Sequence, residues 1–172
     1  MSYAVRTLNG AEAATLRAPL CALLTDCVDN GASIGFLPPL SAPEAENYWM
    51  SVAQDLATGR RILLVVEKDA EILGTAQLEL ATKPNALHRA EIQKLLVHTS
   101  QRGQGLASVL IREIEAVARQ HGRTLIFLDT QQGDTAEKLY EKWNYQRAGV
   151  IPNYVVDKDG IFHGTVLFYK AL

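Results

Sequence analysis

Residues 92–107 read Ile-Gln-Lys-Leu-Leu-Val-His-Thr-Ser-Gln-Arg-Gly-Gln-Gly-Leu-Ala. A strand-like apolar run ends at Val97, a short polar turn follows, and Arg102-Gly103-Gln104-Gly105-Leu106-Ala107 opens an amphipathic helix. Glycines at a strand-to-helix turn leave backbone N–H groups uncovered, at the positive end of the helix dipole. The turn is therefore read as a seat for a phosphate or pyrophosphate. A dinucleotide-binding unit is the rival, because Gly103-x-Gly105 is followed by a helix, a strand and an acid, Asp129, at that strand's end. It fits poorly. Ser108 stands where the third glycine belongs, a polar spacer separates Val97 from Gly103, and too little chain follows Asp129 to build a doubly wound sheet.

Working outward, the helix that starts at Gly105 carries Leu106, Leu110, Ile114 and Val117 on one face and stops at Gly122. Residues 125–129 read as a short buried strand. Asp134 and Glu137 cap a further helix that ends at Asn144, a residue tolerant of left-handed backbone. Residues 145–151 and 161–170 are expected as final strands around Asp157-Lys158-Asp159-Gly160. Upstream, 3–8 alternates like a first strand. A helical region then runs to about Asn30, with a break expected near Pro19 and a core stripe of Leu16, Leu20, Leu23, Leu24 and Val28. Residues 31–40 form an irregular apolar loop suited to ligand contact. Ser41 and Glu44 make a capping box for a second helix reaching Gly59. Strands follow at 61–68, 72–80 and 89–97.

The chain has 172 residues, is 48% hydrophobic and carries a formal charge of −2. That suits one globular domain over 1–172 and gives no general attraction to nucleic acid or an anionic membrane. No apolar run approaches the ~20 residues of a membrane span. The N-terminus lacks a signal-peptide pattern, and the two cysteines, Cys21 and Cys27, read as reduced thiols, so a cytoplasmic protein is expected. The histidines show no metal-ligand spacing, so no metal is expected.

Two motifs in series carry a family likeness. Arg102-x-x-Gly105-x-Ala107 matches the (Gln/Arg)-x-x-Gly-x-(Gly/Ala) signature of the GNAT N-acetyltransferases. Residues 135–145, Thr-Ala-Glu-Lys-Leu-Tyr-Glu-Lys-Trp-Asn-Tyr, resemble that family's Ala-x-x-Leu-Tyr-x-x-x-Gly-Phe helix. The motifs fall in the family's order with one strand between them. The order of elements, β-α-α-β-β-β-α-β-α-β-β, resembles the family over nearly the whole chain. The resemblance implies a single α/β domain with a central, mixed, mostly antiparallel twisted sheet flanked by helices. Gly31-Ala32-Ser33-Ile34-Gly35-Phe36, Lys83-Pro84-Asn85, 89–95 and Leu128-Asp129-Thr130 also resemble stretches of tabtoxin-resistance acetyltransferases, which acetylate the amine of an amino-acid toxin. The departures are Gly133, where many members have asparagine, and Asn144-Tyr145 in place of Gly-Phe.

The resemblance also implies the chemistry. Acetyl-CoA is the implied donor. Its pyrophosphate would lie on the turn Arg102, Gly103, Gln104, Gly105, Leu106 and Ala107, and its pantetheine arm would pair with backbone at Leu96 and Val97. A bulge in that strand would splay it from the next and open a slot for the arm. Acyl transfer from a thioester to an amine needs alignment, worth up to ~7–11 kcal/mol, a route for the ammonium proton, and a donor for the departing thiolate. Tyr140 is the candidate acid or sulfur-binding group, with a core aromatic as the alternative. Glu91 and Asp129, on neighbouring strands, are the candidate bases. Binding the acceptor's ammonium serves equally well, and Glu91 could instead pair with Arg89 or Asp129 cap the following loop. Tyr48, Trp49, Asn85, Tyr154 and His88 are weaker candidates for the acceptor wall.

The expected activity is direct acetyl transfer from acetyl-CoA to the primary amine of a small, amino-acid-like molecule. Acetylation of a protein lysine or N-terminus is one alternative, and a non-catalytic acyl-CoA-binding module is another. A monomer and a homodimer are both open.

Overall fold

The computed structural model describes residues 3–172; Met1 and Ser2, part of the expected span, lie outside the described residues. All strands join one sheet in the order β1-β2-β3-β4-β5-β7-β6. These are β1 (Ala4–Leu8), β2 (Arg61–Lys68), β3 (Glu71–Leu80), β4 (Arg89–Val97), β5 (Leu125–Gln131), β6 (Gln146–Val156) and β7 (Phe162–Ala171). Every neighbouring pair is antiparallel except β4 with β5. The helices are α1 (Gly10–Thr15), α2 (Arg17–Asp29), α3 (Ala42–Ala57), α4 (Leu106–Gln120) and α5 (Thr135–Lys142).

Alternation along the strands feeds two cores, one on each face of the sheet. Leu64, Leu78, Ile92, Ile126 and Phe168 meet Leu110 and Ile114 of α4 and Tyr140 of α5 on one face. Leu63, Val65 and Leu96 meet Leu20, Leu24, Trp49 and Val52 of the first helices on the other.

The first helical region breaks at Leu16 rather than near Pro19. Leu16 closes α1 and opens α2, so Pro19 falls in the first turn of α2, where a missing N–H costs nothing. β6 runs past Ile151 to Val156. Pro152 interrupts the sequence pattern, but β6 lies at the sheet edge, where proline is tolerated, and irregular pairing between Ile151 and Val155 absorbs it. Asn144 adopts φ 63°, so asparagine there takes the left-handed backbone that ends α5.

Candidate active site

The turn after β4 is held from outside. Asp26 of α2 accepts from the Thr99 backbone N and hydroxyl, both at 2.8 Å. Gly103 and Gly105 then take φ of 77° and 83°. Gly105 is the N-cap of α4, and no side chain caps the helix. The first intrahelical bond runs from Val109 N to Gly105 O at 3.2 Å, which leaves the N–H groups of Leu106, Ala107 and Ser108 without helical partners. A Cβ built at either glycine meets nothing within 4 Å, so the surface above is open. These are the features a pyrophosphate needs: free donors, the positive helix end and no acid in the first turn. The side chain of Leu106 is buried in the core, so only its backbone faces the turn. Arg102 is exposed, with Nε 3.4 Å from the Val97 carbonyl, and Gln104 accepts from the Tyr3 hydroxyl at 2.8 Å.

The turn lies beside an opening in the sheet. β4 and β5 pair only at Arg89–Leu125, Ala90–Ile126 and Glu91–Phe127. Beyond Glu91, β4 remains tied to β3, but its register there slips between Thr75 and Gln77. Lys94, with φ 48°, lies in the slip and marks a bulge. The bulge bends β4 away from β5 and leaves the edge of Lys94, Leu95, Leu96 and Val97 without a strand partner on the β5 side. Leu96 turns its side chain into the α2–α3 core and its carbonyl towards Gly74 of β3, so the backbone groups on the free edge are those of its neighbour Val97 rather than its own.

Glu91 and Asp129 point to the same face. Ala90 and Ile92 flank Glu91, and Leu128 precedes Asp129, all in the α4–α5 core, so both acids face the other way. Asp129 lies two residues beyond Phe127, the register partner of Glu91, or about 7 Å further along the strand. It is exposed, and Thr165 Oγ1 donates to it at 2.7 Å, so it is a solvated acid at the mouth of the opening. Glu91 is half-buried. Burial pushes its carboxyl above the usual range, the charges of Glu79 and Asp129 push the same way, and Gln93 and Arg61 oppose. Arg89 stacks over the Phe127 ring at 5.7 Å and forms no ion pair with Glu91.

Tyr140 lies on the opposite face, packed against Trp143, Tyr145 and Phe168 at centroid separations of 5.6, 5.6 and 5.7 Å. Its burial raises the phenol's pKa, and the charges of Asp129 and Asp134 add to this. The group stays a neutral O–H donor at physiological pH. Its hydroxyl makes no hydrogen bond within the described residues.

A profile of the acetyltransferase (GNAT) family matches residues 24–145. The chain belongs to the GNAT family. N-acetyltransferase 8 of Rattus norvegicus is 34% identical over 89 residues, 49% of this chain and 39% of that protein. The chain therefore spans well under half the length of the curated relative it matches. Among solved structures, the ribosomal-protein-alanine N-acetyltransferase of Brucella melitensis superposes with a TM-score of 0.82 at 19% identity, covering 98% of this chain and 99% of that one. The structure of yncA from Salmonella typhimurium with its cofactor acetyl-CoA gives a TM-score of 0.81 at 16% identity, covering 100% and 95%. At those identities the likeness is one of fold.

On this GNAT scaffold the acids adjoin polar residues that the sequence reading did not single out. Arg61 Nη1 donates to Gln77 Oε1 at 2.6 Å and to Gln93 Oε1 at 2.9 Å, and Nη2 reaches Glu79 at 3.3 Å. Tyr48 donates to the same Gln77 oxygen at 3.0 Å, and its burial pushes the phenol up to about 12. One signal was available: Arg61, Gln77, Glu79, Glu91 and Gln93 are polar residues at alternating positions of otherwise apolar strands, on what becomes one face. A cleft of about 320 Å³ adjoins this network, with Glu79, Lys83, Arg89, Glu91 and Phe127 along its walls. Of the weaker candidates, Tyr48 joins the network, Trp49 is core, Asn85 lies in a short 3₁₀ turn and Tyr154 is exposed on the edge strand. The His88 carbonyl accepts from Thr124 and Leu125. No group of three or more metal-ligating side chains occurs among the described residues, and no helix there is long and apolar enough to cross a membrane.

Proposed function

We propose that the protein acetylates the primary amine of a small molecule, with acetyl-CoA as donor and no acyl-enzyme. The observation that carries this reading is the opening between β4 and β5. An uncapped, glycine-lined helix N-terminus lies at one end of it, and a desolvated carboxylate lies on its far face. Acetyl-CoA supplies the activated acyl carbon and a thiolate leaving group when bound. The N–H groups of Gln104, Gly105, Leu106, Ala107 and Ser108 bind the pyrophosphate, with Gly103 shaping the turn and Arg102 alongside. The free edge of β4 at Val97 aligns the pantetheine arm, while Leu96, whose backbone faces β3, holds that edge in place. Glu91 takes the ammonium proton, because desolvation raises its basicity towards neutral pH. Asp129, hydrogen-bonded and solvated, holds the ammonium. Tyr140 donates a hydrogen bond to the thioester sulfur, and its raised pKa makes it a donor rather than a source of a free proton.

The four stretches that resemble tabtoxin-resistance enzymes favour an amino-acid-like acceptor. The Brucella neighbour acts on a ribosomal-protein alanine by its name, which keeps a protein N-terminus as the second reading. Thiol release from acetyl-CoA against amines, amino acids and peptides tests the choice, with release expected on small amines. Gly105→Glu places an anion against the free donors. It is expected to abolish CoA binding in calorimetry with the fold intact, and unchanged affinity would move the cofactor elsewhere.

A further inference from the structure

We propose that Lys94 is the anion-binding group of the acceptor site, and that the acceptor is an amine that also carries a carboxylate. The carboxylate would meet Lys94 while the ammonium faces Glu91 and Asp129. This rests on the amine-acetylation reading above and adds the acceptor's second charge.

The bulge in β4 aims the side chain. Ile92 and Leu95 both enter the α4–α5 core, so the two residues between them, Gln93 and Lys94, fall on the acceptor face. In an unbroken strand Lys94 would enter the apolar core beneath α4; the extra residue of a bulge re-aims it. Lys94 Nζ lies over the rings of Phe36 and Tyr48, at 5.8 and 5.6 Å from their centroids. The loop 31–40 backs it, since a Cβ built on Gly35 would stand 3.9 Å from Nζ.

This cation has no counter-ion. Nζ makes no hydrogen bond and no ion pair within the described residues, although Lys94 is half-buried. Ring faces compensate a desolvated ammonium only in part. Burial and the positive charge of Arg61 lower its pKa, while Asp129 and Glu91 attract it from further away. Arg61 is engaged with Gln77, Gln93 and Glu79 and leaves Lys94 as the uncommitted cation of this face. The cations along the cleft differ: Arg60 pairs with Asp55 at 2.8 Å and Lys83 is exposed. A second donor on the same face also lacks an acceptor. Gln77 is fully buried, its oxygen is taken by Tyr48 and Arg61, and its Nε2 has no partner among the described residues. An ammonium and an amide N–H without acceptors, beside two carboxylates, complement a zwitterion.

The test uses CoA-loaded protein. Calorimetry compares N-acetyl-L-amino acids with their carboxamides as product probes, and thiol release compares the parent amino acids with their amides. The acids are expected to bind at least tenfold tighter than the carboxamides. Lys94→Met should bring that ratio to within twofold, and Lys94→Arg should keep most of it, with melting curves confirming that both variants fold. A wild-type ratio within twofold across the panel overturns the proposal, as does a ratio that survives in Lys94→Met. Turnover of amines with no preference for the acid would leave acetyl transfer standing and remove Lys94 from recognition. Acid-selective, Lys94-dependent product binding without turnover on any amine would do the reverse.

Discussion

The two halves of β4 differ in one respect with large consequences. At Ala90 and Glu91 the strand is paired on both sides, to β3 and to β5. Beyond them, Lys94 and Leu95 lie in the bulge, and Leu96 and Val97 are paired to β3 alone. The first half is ordinary sheet interior, with Ala90 and Ile92 buried in the core. The second half has a free backbone edge, a left-handed lysine and an uncapped helix just beyond. One extra residue at the bulge separates them. Unpaired backbone inside a protein is costly unless something satisfies it, and such exceptions gather at ligand sites. The comparison therefore divides β4 into a part that holds the fold and a part left open for a ligand.

The largest expected effects come at the border between the halves. Glu91→Gln should lower turnover by about 10²–10⁴-fold, the usual range for a general base. Its raised carboxyl pKa also fixes a sign. Activity in the wild type should fall as pH drops through a value above the ordinary carboxylate range, and the amide variant should lose that acidic limb. The ionised form is the one burial disfavours, so this group's contribution to stability is complete below the unfolded pKa and is lost as pH rises through the folded one. Glu91→Gln should then melt no lower than wild type near neutral pH. A large fall in melting temperature would assign Glu91 to the fold instead. Asp129→Asn should mainly raise the acceptor's KM.

Tyr140→Phe keeps the ring packed against Phe168 and deletes only the donor. Turnover is expected to fall by about 10²-fold, the lower end of the range for a proton-donating group, with little change in acetyl-CoA affinity. Chemistry-limited turnover within twofold of wild type would leave Tyr140 as a core aromatic.

A smaller effect probes the open half from behind. A Cβ on Gly74 would come within 2.6 Å of the Leu96 carbonyl oxygen, 3.1 Å of Val66 Cγ1 and 3.2 Å of Leu110 Cδ1. Gly74→Ala should cost about 1–3 kcal/mol in a denaturant titration, as overpacking does. It should also weaken acetyl-CoA binding, because pushing Leu96 shifts the free edge of β4 at Val97 beside it. Ile92→Ala sharpens the contrast. It leaves a cavity in the core and should cost about 2–5 kcal/mol of stability, with acetyl-CoA affinity retained.

Much of this protein was legible before folding. Strand alternation, the capping box at Ser41 and Glu44 and the bounds of β4 follow from local chemistry. So do the glycine turn and the left-handed Asn144, because backbone preference is a property of each residue and its near neighbours. Their spacing was enough for the family likeness, and that likeness implied the sheet's mostly antiparallel character. The break at Leu16 and the length of β6 were not legible, since each depends on where a proline falls relative to a helix's first turn or a sheet's edge.

The roles of single side chains were decided only by the tertiary structure. Glu91 and Asp129 looked alike in sequence. Depth of burial and the hydroxyl of Thr165 make one a desolvated acid and the other a solvated, hydrogen-bonded one. Arg61, Gln77 and Gln93 come from three strands and form one network only when β2, β3 and β4 fall into register. Lys94 read as one more polar residue of a strand. Its direction is set by a bulge, and its isolation by a loop from 31–40 and a helix that pack over it. Sequence fixes what each residue can do locally. Electrostatic environment is a property of what long-range packing brings alongside, and a desolvated or uncompensated charge exists only after the chain has closed around it.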